Sequence, residues 1–342
     1  MQKNSYFVGL DIAADSFVAS VYEAPGKPVT TKEAVENNLD GFSALISWLK
    51  EQGIDNSNSI ICMEATGVYS ELIAHYLLSC SFKVCVEPPL KVKRAFDPVG
   101  HKTDPVDSRQ IAEYAYRFKD ELKFWQPKHE IVEKIKQLLT AREQFTKQSV
   151  AMQNSIKAYE RHVIKVPLII NAHRETLKEL KKHISNIDKE LDKLVRQNPT
   201  IFKISNQLKS IPGVGLLLAA ELIVTTNAFS DISNYKTLSA FLGICPYQHS
   251  SGTSVYKRAR IRNFGPSYAR KLLMLAARSV VAAHNKTFIK YYERKLAEGK
   301  AKRLVLNNIS NKIIKIACSL VKNNMQYSEG YRSVNPICFN LA

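Results

Sequence analysis

The first third of the chain alternates between short apolar runs and polar turns. Residues 5–12 (SYFVGLDI) and 16–23 (SFVASVYE) are rich in β-branched and aromatic side chains, and a Pro-Gly pair follows the second run. This pattern predicts a β-hairpin, with a third strand around residues 29–36. From Leu39 to Gln52 the apolar residues recur at helical spacing, which predicts an amphipathic helix.

A second set of predicted elements completes an α/β pattern. Residues 59–67 (SIICMEATG) have the continuous apolar character of a buried strand, a helix is predicted over about 69–80, and residues 82–89 (FKVCVEPP) form another strand. A further helix opens at Asp104. The order β-β-β-α-β-α-β followed by a helix predicts an RNase H-like α/β domain.

Beyond Pro127 the chain is charged and helical, first to about Val163 and then from about Asn171 to Gln197. Along the second helix, apolar residues are spaced alternately three and four positions apart, with charged residues between them. They are Leu177, Leu180, Ile184, Ile187, Leu191 and Leu194. This seam predicts either an antiparallel hairpin with the preceding helix or a coiled coil that joins subunits.

The remaining region, from about residue 200, is predicted to be mainly α-helical. It begins with two apolar helical stretches separated by the turn IPGVG. This turn resembles a helix-hairpin-helix, in which Gly213 and Gly215 would let backbone amides approach a phosphate at a helix N-terminus. An ordinary turn between helices has the same pattern.

Charge divides the chain into an acidic and a basic part. Residues 1–120 contain 12 Lys and Arg against 16 Asp and Glu, a net of −4, and residues 121–342 contain 37 against 15, a net of +22. Such an excess favours a polyanionic partner, because neutralising phosphates and releasing their counterions dominates affinity for nucleic acid. A ribosomal-type or membrane-surface protein would be an alternative. Binding to an anionic membrane calls for a basic amphipathic helix, of which the sequence contains no clear example.

The sequence favours a cytoplasmic location, with no secretory signal at the N-terminus and no apolar stretch long enough to span a membrane. The six cysteines form no C-x-x-C pair, so we interpret them as buried apolar residues rather than zinc ligands.

Four carboxylates stand at the ends of predicted elements: Asp11, Glu64, Asp104 and Asp107. In an RNase H-like sheet these places converge, and carboxylate oxygens from separate elements are the ligands that Mg²⁺ prefers. Asp104 and Asp107 alone could simply cap a helix that has Pro105 in its first turn. Glu64 and Asp11 are harder to explain without a partner, because burying a carboxylate in an apolar strand is costly.

A serine-rich segment leads into the most basic part of the chain. Residues 246–254 (PYQHSSGTS) precede a stretch from Lys257 to Arg278 that contains seven basic residues and no acid. One serine could act as a nucleophile on a flexible loop, or the segment could be an ordinary Ser/Thr-rich turn. The candidate nucleic-acid contacts are Lys257, Arg258, Arg260, Arg262, Arg270 and Lys271.

Together these segments resemble a known family. FVGLD ending at Asp11, MEATG around Glu64, HKTDPVDSRQIA with Asp104 and Asp107, the IPGVG turn and GICPYQHSSGTS occur in the order found in DEDD transposases of the IS110 family. These enzymes are related to Piv-type DNA invertases, and the resemblance covers nearly the whole chain. The segment RNFG at residues 262–265 departs from the Ser-Lys-x-Gly pattern of the family.

The resemblance implies a RuvC-like DEDD catalytic domain over residues 1–127, a helical coiled-coil segment over 128–199 and a C-terminal transposase domain over 200–342. It further implies Mg²⁺, for which Mn²⁺ can substitute, held by the four carboxylates. It places a nucleophile that forms a covalent phosphoserine at Ser251, and the adjacent Ser250 is the alternative.

The implied partners are donor and target DNA, a structured bridge RNA that pairs with both, and other copies of the chain in a dimer that assembles into a tetramer. The expected function is therefore RNA-guided DNA transposition or recombination. Three other functions fit the residues: a protein-guided invertase of the Piv type, a RuvC-like nuclease that only hydrolyses, and a non-catalytic nucleic-acid-binding protein.

Overall fold

The structure, a computed structural model, describes residues 5–96, 103–251, 255–261 and 265–329. The chain divides into two compact units, Met1–Pro127 and Lys128–Ala342.

The first unit is built on a five-stranded mixed sheet in the order β3-β2-β1-β4-β5. β1, β2 and β3 are antiparallel, whereas β4 and β5 run parallel to β1. The strands are β1 (Tyr6–Ile12), β2 (Ser16–Glu23), β3 (Lys27–Glu36), β4 (Ser59–Glu64) and β5 (Lys83–Glu87). The helices are α1 (Leu39–Glu51), α2 (Val68–Ser79), α3 (Pro89–Lys93) and α4 (Asp104–Arg117). The short helix α3 was not predicted.

Strand alternation gives this sheet two different faces, because successive side chains of a strand point to opposite sides. On one face, Val8 and Leu10 of β1 belong to a core shared with Phe42 of α1 and Ile73 of α2. On the other face, Phe7 of β1 belongs to a core formed with α3 and α4. The sheet is therefore covered on both faces, as the mixed α/β pattern predicts.

The second unit is mainly helical, with one small hairpin. Its elements are α5 (Glu130–Tyr159), α6 (Pro167–Gln197), α7 (Pro199–Lys209), α8 (Leu216–Thr226), α9 (Tyr235–Phe241), β6 (Pro246–Ser251), β7 (Val255–Ile261), α10 (Ser267–Ala282), α11 (Lys286–Ala297) and α12 (Lys302–Lys322). One continuous apolar core contains residues of every helix from α7 through α12. It also contains Val132 and Leu139 of α5 and Leu191 and Val195 of α6. These ends of the two long helices are thus part of the same core as the helices that follow.

Helices α5 and α6 form an antiparallel pair within the chain. Arg142 of α5 pairs with Asp188 of α6 at 2.6 Å, and the rings of Phe145 and His183 lie 5.6 Å apart. The apolar seam of α6 is only half-buried along most of its length, and Leu191 is its one fully buried member among those predicted. The intrachain hairpin is therefore present, and pairing between subunits stays a prediction.

Helix α12 has the length and hydropathy of a membrane-crossing helix. Ten of its residues are buried within the second unit, among them Val305, Ile313 and Leu320 in the core. This is the pattern of a core helix in a folded domain.

Candidate active site

Two of the predicted carboxylates lie side by side on neighbouring strands. Leu10 of β1 pairs with Met63 of β4 in the parallel ladder, so Asp11 and Glu64 occupy the next position along each strand. Asp11 lies two residues after Gly9, and Glu64 lies two residues after Cys62, the partner of Gly9 in the ladder. Because every second side chain of a strand points to the same side, both carboxylates point to one face of the sheet. Both residues are half-buried.

Helix α4 covers this same face and approaches β1 closely at Gly9. A Cβ added to Gly9 would lie 2.2 Å from the Ser108 carbonyl oxygen and 2.3 Å from the Ala112 amide nitrogen, so only glycine allows this approach. Further along α4, the ring of Tyr116 lies 5.5 Å from that of Phe7. The helix therefore runs from the carboxyl end of β1 toward its amino end.

This direction places the first turn of α4, with Asp104 and Asp107, over the end of β1 that carries Asp11. Asp104 is exposed and Asp107 half-buried. Asp104 is the first helical residue rather than the N-cap, which is Thr103. Among the described residues, the Thr103 side chain makes no capping hydrogen bond. Capping by the Asp104 side chain therefore does not account for this residue, although acids in the first turn do complement the helix dipole.

The donor set fits a hard divalent cation, because all four candidates supply carboxylate oxygens and they come from three elements, β1, β4 and α4. Across the described ranges, no three His, Cys, Asp or Glu side chains lie close enough to form a metal-binding group by themselves. Mg²⁺ commonly takes only one or two protein carboxylates and completes its shell with water and phosphate oxygens. Two neighbouring carboxylates with a third element above them are compatible with that kind of site.

Sequence reasoning missed a fifth carboxylate at this edge. Glu87 pairs with Glu64 in the β4–β5 ladder, so it extends the row of acids across a third strand. Its side chain is 7% exposed, and the Lys91 ammonium of α3 lies 3.1 Å from it. A carboxylate so close to Glu64 requires a counter-charge, which Lys91 provides. The signal was present in the sequence, since Glu87 ends an apolar strand as Glu64 does.

In the second unit, the serine-rich segment forms a β-hairpin where the sequence suggested a flexible loop. β6 and β7 are antiparallel, and Ser251 is the last residue of β6, paired with Val255. The alternative nucleophile Ser250 pairs with Tyr256 one position earlier. Residues 252–254 lie outside the described residues.

The predicted basic contacts fall on or just after this hairpin. Lys257, Arg258 and Arg260 belong to β7, where Lys257 pairs with His249 and Arg260 with Tyr247. Arg262 lies outside the described residues.

The other two predicted contacts lie on α10 and differ in their environment. The Arg270 guanidinium donates hydrogen bonds of 3.2 Å to the carbonyl oxygens of Leu242 and Gly265, which ties the segment before the hairpin to the segment after it. Lys271 is exposed, with its ammonium 5.9 Å from the ring centroid of Tyr268. Arg270 thus has a bracing role, whereas Lys271 is accessible to a ligand.

The two glycines of the predicted phosphate turn also differ. Gly213 has a φ of +79°, and a Cβ there would lie 2.6 Å from Val280 Cγ1 and 2.8 Å from the Ala276 carbonyl oxygen. Gly215 caps α8, and a Cβ added there would meet no described atom within 4 Å. Close packing against α10 explains Gly213, while Gly215 leaves the N-terminus of α8 open.

Comparisons with known proteins identify both units of the chain. A transposase model, that of the DEDD domain of IS110 elements, matches residues 8–159, and a model described as the transposase IS116/IS110/IS902 family matches residues 205–293. The first match contains all four predicted carboxylates, and the second contains the serine hairpin.

Similar proteins include two that are named for gene inversion and one that is named as a transposase. The pilin gene-inverting proteins of Moraxella bovis and Moraxella lacunata are each 26% identical over 94% of this chain and 98% of their own length. The transposase for insertion sequence element IS1111A of Coxiella burnetii is 24% identical over 83% of this chain and 80% of its own.

Proposed function

This chain belongs to the IS110 family of transposases, related to the Piv-type invertases, and is a DNA recombinase. From this premise we propose that it cleaves and rejoins DNA through Mg²⁺ held at the carboxylate edge of an RNase H-like domain and a covalent intermediate on Ser251. We further propose that a structured bridge RNA guides it, and that it acts as a dimer that assembles into a tetramer, in part through the coiled-coil segment 128–199.

The observation that carries the proposal is the strand register. It sets Asp11 beside Glu64. The close approach of α4 to β1 at Gly9 supports it, because this approach brings the first turn of α4, with Asp104 and Asp107, over the same end of the sheet. These residues would hold Mg²⁺, which when bound stabilises negative charge on phosphate oxygens. Glu87 keeps its own cation, Lys91, at 3.1 Å, so its charge is compensated within the unit.

The serine supplies what hydrolysis lacks, a way to conserve the energy of the phosphodiester bond. Ser251 Oγ would bond to phosphorus as the bond from phosphorus to the leaving sugar oxygen breaks. The serine proton is lost to solvent and the leaving oxygen takes one up. Attack by a sugar hydroxyl on the same phosphorus then releases the serine and forms a new DNA strand. Both steps are displacements without oxidation or reduction.

The decisive experiment is to trap this intermediate. The protein is incubated in Mg²⁺ with duplex DNA carrying the ends of its own element and RNA transcribed from the neighbouring non-coding flank, and is then denatured. We expect a DNA–protein adduct that mass spectrometry places on Ser251, lost in Ser251→Ala with binding retained. An adduct on Ser250 would move the nucleophile by one residue. Cleavage at the wild-type rate by both Ser251→Ala and Ser250→Ala would instead favour a nuclease.

A second candidate is site-specific inversion without RNA, which the similarity to the pilin gene-inverting proteins favours. The chemistry would be the same, and the difference would lie in how DNA is recognised. A defined non-coding RNA that copurifies with the protein, together with loss of recombination after RNase treatment, supports RNA guidance. Full recombination by RNA-free protein supports the invertase.

A further inference from the structure

Four cationic side chains lie together on the surface of α11 and α12, and none of them is among the residues predicted from sequence to contact nucleic acid. They are Arg294, Lys295, Lys312 and Lys315, here called the α11–α12 basic cluster. The Lys312 ammonium lies 4.4 Å from the ring centroid of Tyr291, and the Arg294 guanidinium carbon lies 5.7 Å from the same centroid. The arrangement is specific in geometry, since a tyrosine ring is shared by two cations.

The cluster is short of compensating charge. The pKa of Lys312 is lowered by burial and then by the neighbouring charges of Lys315, Arg294 and Lys295. Among the ion pairs of the described residues, Glu298 alone supplies a carboxylate, at 2.6 Å from Lys295 and 3.9 Å from Arg294. Helix α12 itself contains no acidic residue. Like charges held this close repel each other unless an anion binds between or over them.

The same helix supports the hairpin that carries the serine. Asn307 and Asn311 of α12 both donate from Nδ2 to the carbonyl oxygen of Ile244, at 2.9 and 3.1 Å, just before β6 begins. Lys315 lies one helical turn after Asn311, on the same face. It also lies 5.5 Å from the ring centroid of Tyr235, the first residue of α9, and α9 leads toward the hairpin. The cluster and the base of the hairpin thus share one rigid support.

We propose that the α11–α12 basic cluster binds the phosphate backbone of duplex DNA and fixes it relative to the β6–β7 hairpin. The occupant is a polyanion because the cluster combines several cations with little opposing charge, and DNA is the substrate of this family. The proposal rests on the proposed function in so far as it names DNA. Lys295, Lys312 and Lys315 lie beyond the hairpin and on helices outside the segment 246–271 that contains the basic contacts predicted from sequence.

The test is the salt dependence of binding, because each phosphate contact contributes about 0.9 to the slope of log affinity against log salt concentration. Lys312→Gln/Lys315→Gln is compared with Lys178→Gln/Lys181→Gln, which removes two exposed charges from α6. Binding of the full chain to duplex DNA of arbitrary sequence is followed by fluorescence anisotropy. We expect the slope to fall by about 2 in the first variant and to stay unchanged in the second. Lys312→Arg/Lys315→Arg should restore it.

Thermal unfolding of each variant verifies that it remains folded. An unchanged slope in a folded Lys312→Gln/Lys315→Gln variant would overturn the proposal, as would an equal fall in the α6 control. A fall seen with a hairpin RNA but not with the DNA would overturn the assignment to DNA. The proposed function is tested separately by trapping the serine adduct, and it fails if the wild-type protein forms no adduct. The salt-dependence test measures binding alone.

Discussion

A buried glutamate lies in each unit, and the two differ in what surrounds them. Glu87, in the unit that contains the acidic part of the chain, is paired with Lys91 at 3.1 Å. Glu221 of α8 lies in the strongly basic part, yet its pKa is raised to about 7, first by burial and then by the nearby carboxylate of Glu143. The net charge of a region therefore describes its surface, and does not tell how a particular buried group is compensated.

The two units also position their functional groups by different means. In the first, strand register and the close approach of α4 at Gly9 bring acids from separate elements to one edge. In the second, exposed cations such as Lys271 of α10 and Lys312 of α12 lie on helix surfaces. Metal-assisted chemistry needs fixed geometry, whereas attraction of a polyanion needs charge density. In the proposed function the first unit therefore holds the metal-binding carboxylates, and the second supplies Ser251 and most of the binding charge.

The largest effect expected is loss of strand cleavage in Asp11→Ala or Glu64→Ala. If these residues hold Mg²⁺ as proposed, removing one of them should cost several kcal/mol of transition-state stabilisation, about a thousandfold in rate or more. DNA affinity should change by less than about twofold, because the proposed phosphate contacts lie in the second unit. Cleavage rates and anisotropy binding are measured on the same preparations.

Asp15→Ala is the matched control, since Asp15 is exposed at the β1–β2 turn only four residues from Asp11. It should cleave as the wild type does. If DNA binding collapsed in folded Asp11→Ala, the division of roles between the two units would be wrong.

The second effect concerns the IPGVG turn. Gly213→Ala combines a left-handed backbone with contacts of 2.6 and 2.8 Å to α10, and should lower the free energy of unfolding by about 2–5 kcal/mol. Gly215→Ala should leave stability nearly unchanged, since its Cβ would point into open space among the described atoms. Chemical denaturation measures both.

The pair of glycine variants also tests the phosphate turn. If the backbone at the N-terminus of α8 binds phosphate, Gly215→Ala should weaken DNA binding while the fold stays intact. Unchanged affinity would leave the turn with a packing role alone.

The third effect is a pH dependence that comes from Glu221. Its pKa in the folded protein, about 7, lies above the ordinary 4.5. Folding therefore favours the protonated form of Glu221. The contribution of this group to the free energy of unfolding is fully present below about pH 4.5 and is lost as pH rises through about 7. The loss is at most about 3 kcal/mol.

Glu221→Gln should flatten this part of the profile of unfolding free energy against pH. Glu143→Gln should flatten it less, because Glu143 is the smaller of the two causes. Arg142 of α5 and Tyr268 of α10 also face this region, and neither is altered in these variants. A profile that is the same in wild type and Glu221→Gln would contradict the assignment.

The sequence predicted the strands of the first unit because strands of a sheet covered on both faces appear as nearly continuous runs of apolar, β-branched and aromatic residues. It also pointed to Asp11 and Glu64, since both end or interrupt apolar strands. The Glu87–Lys91 pair was missed because it depends on α3, a helix too short to show periodicity. The β6–β7 hairpin was missed because most of its residues are polar or basic, so the sequence shows no apolar strand pattern there. The close contact of Gly213 with α10 joins segments more than sixty residues apart and leaves no local signal.

The smallest effect on stability, and the one that bears on assembly, is expected at the α6 seam. Leu180 and Ile187 are half-buried, whereas Leu191 lies fully in the core of the second unit. The pairing of α5 with α6 therefore leaves apolar surface that a second subunit could cover. Leu180→Lys/Ile187→Lys should lower the mass seen by light scattering and cost little stability, because neither side chain is fully buried. Leu191→Lys should instead unfold the unit, since it would bury an unpaired charge. If folded Leu180→Lys/Ile187→Lys kept the wild-type mass, the seam would serve only the hairpin within one chain.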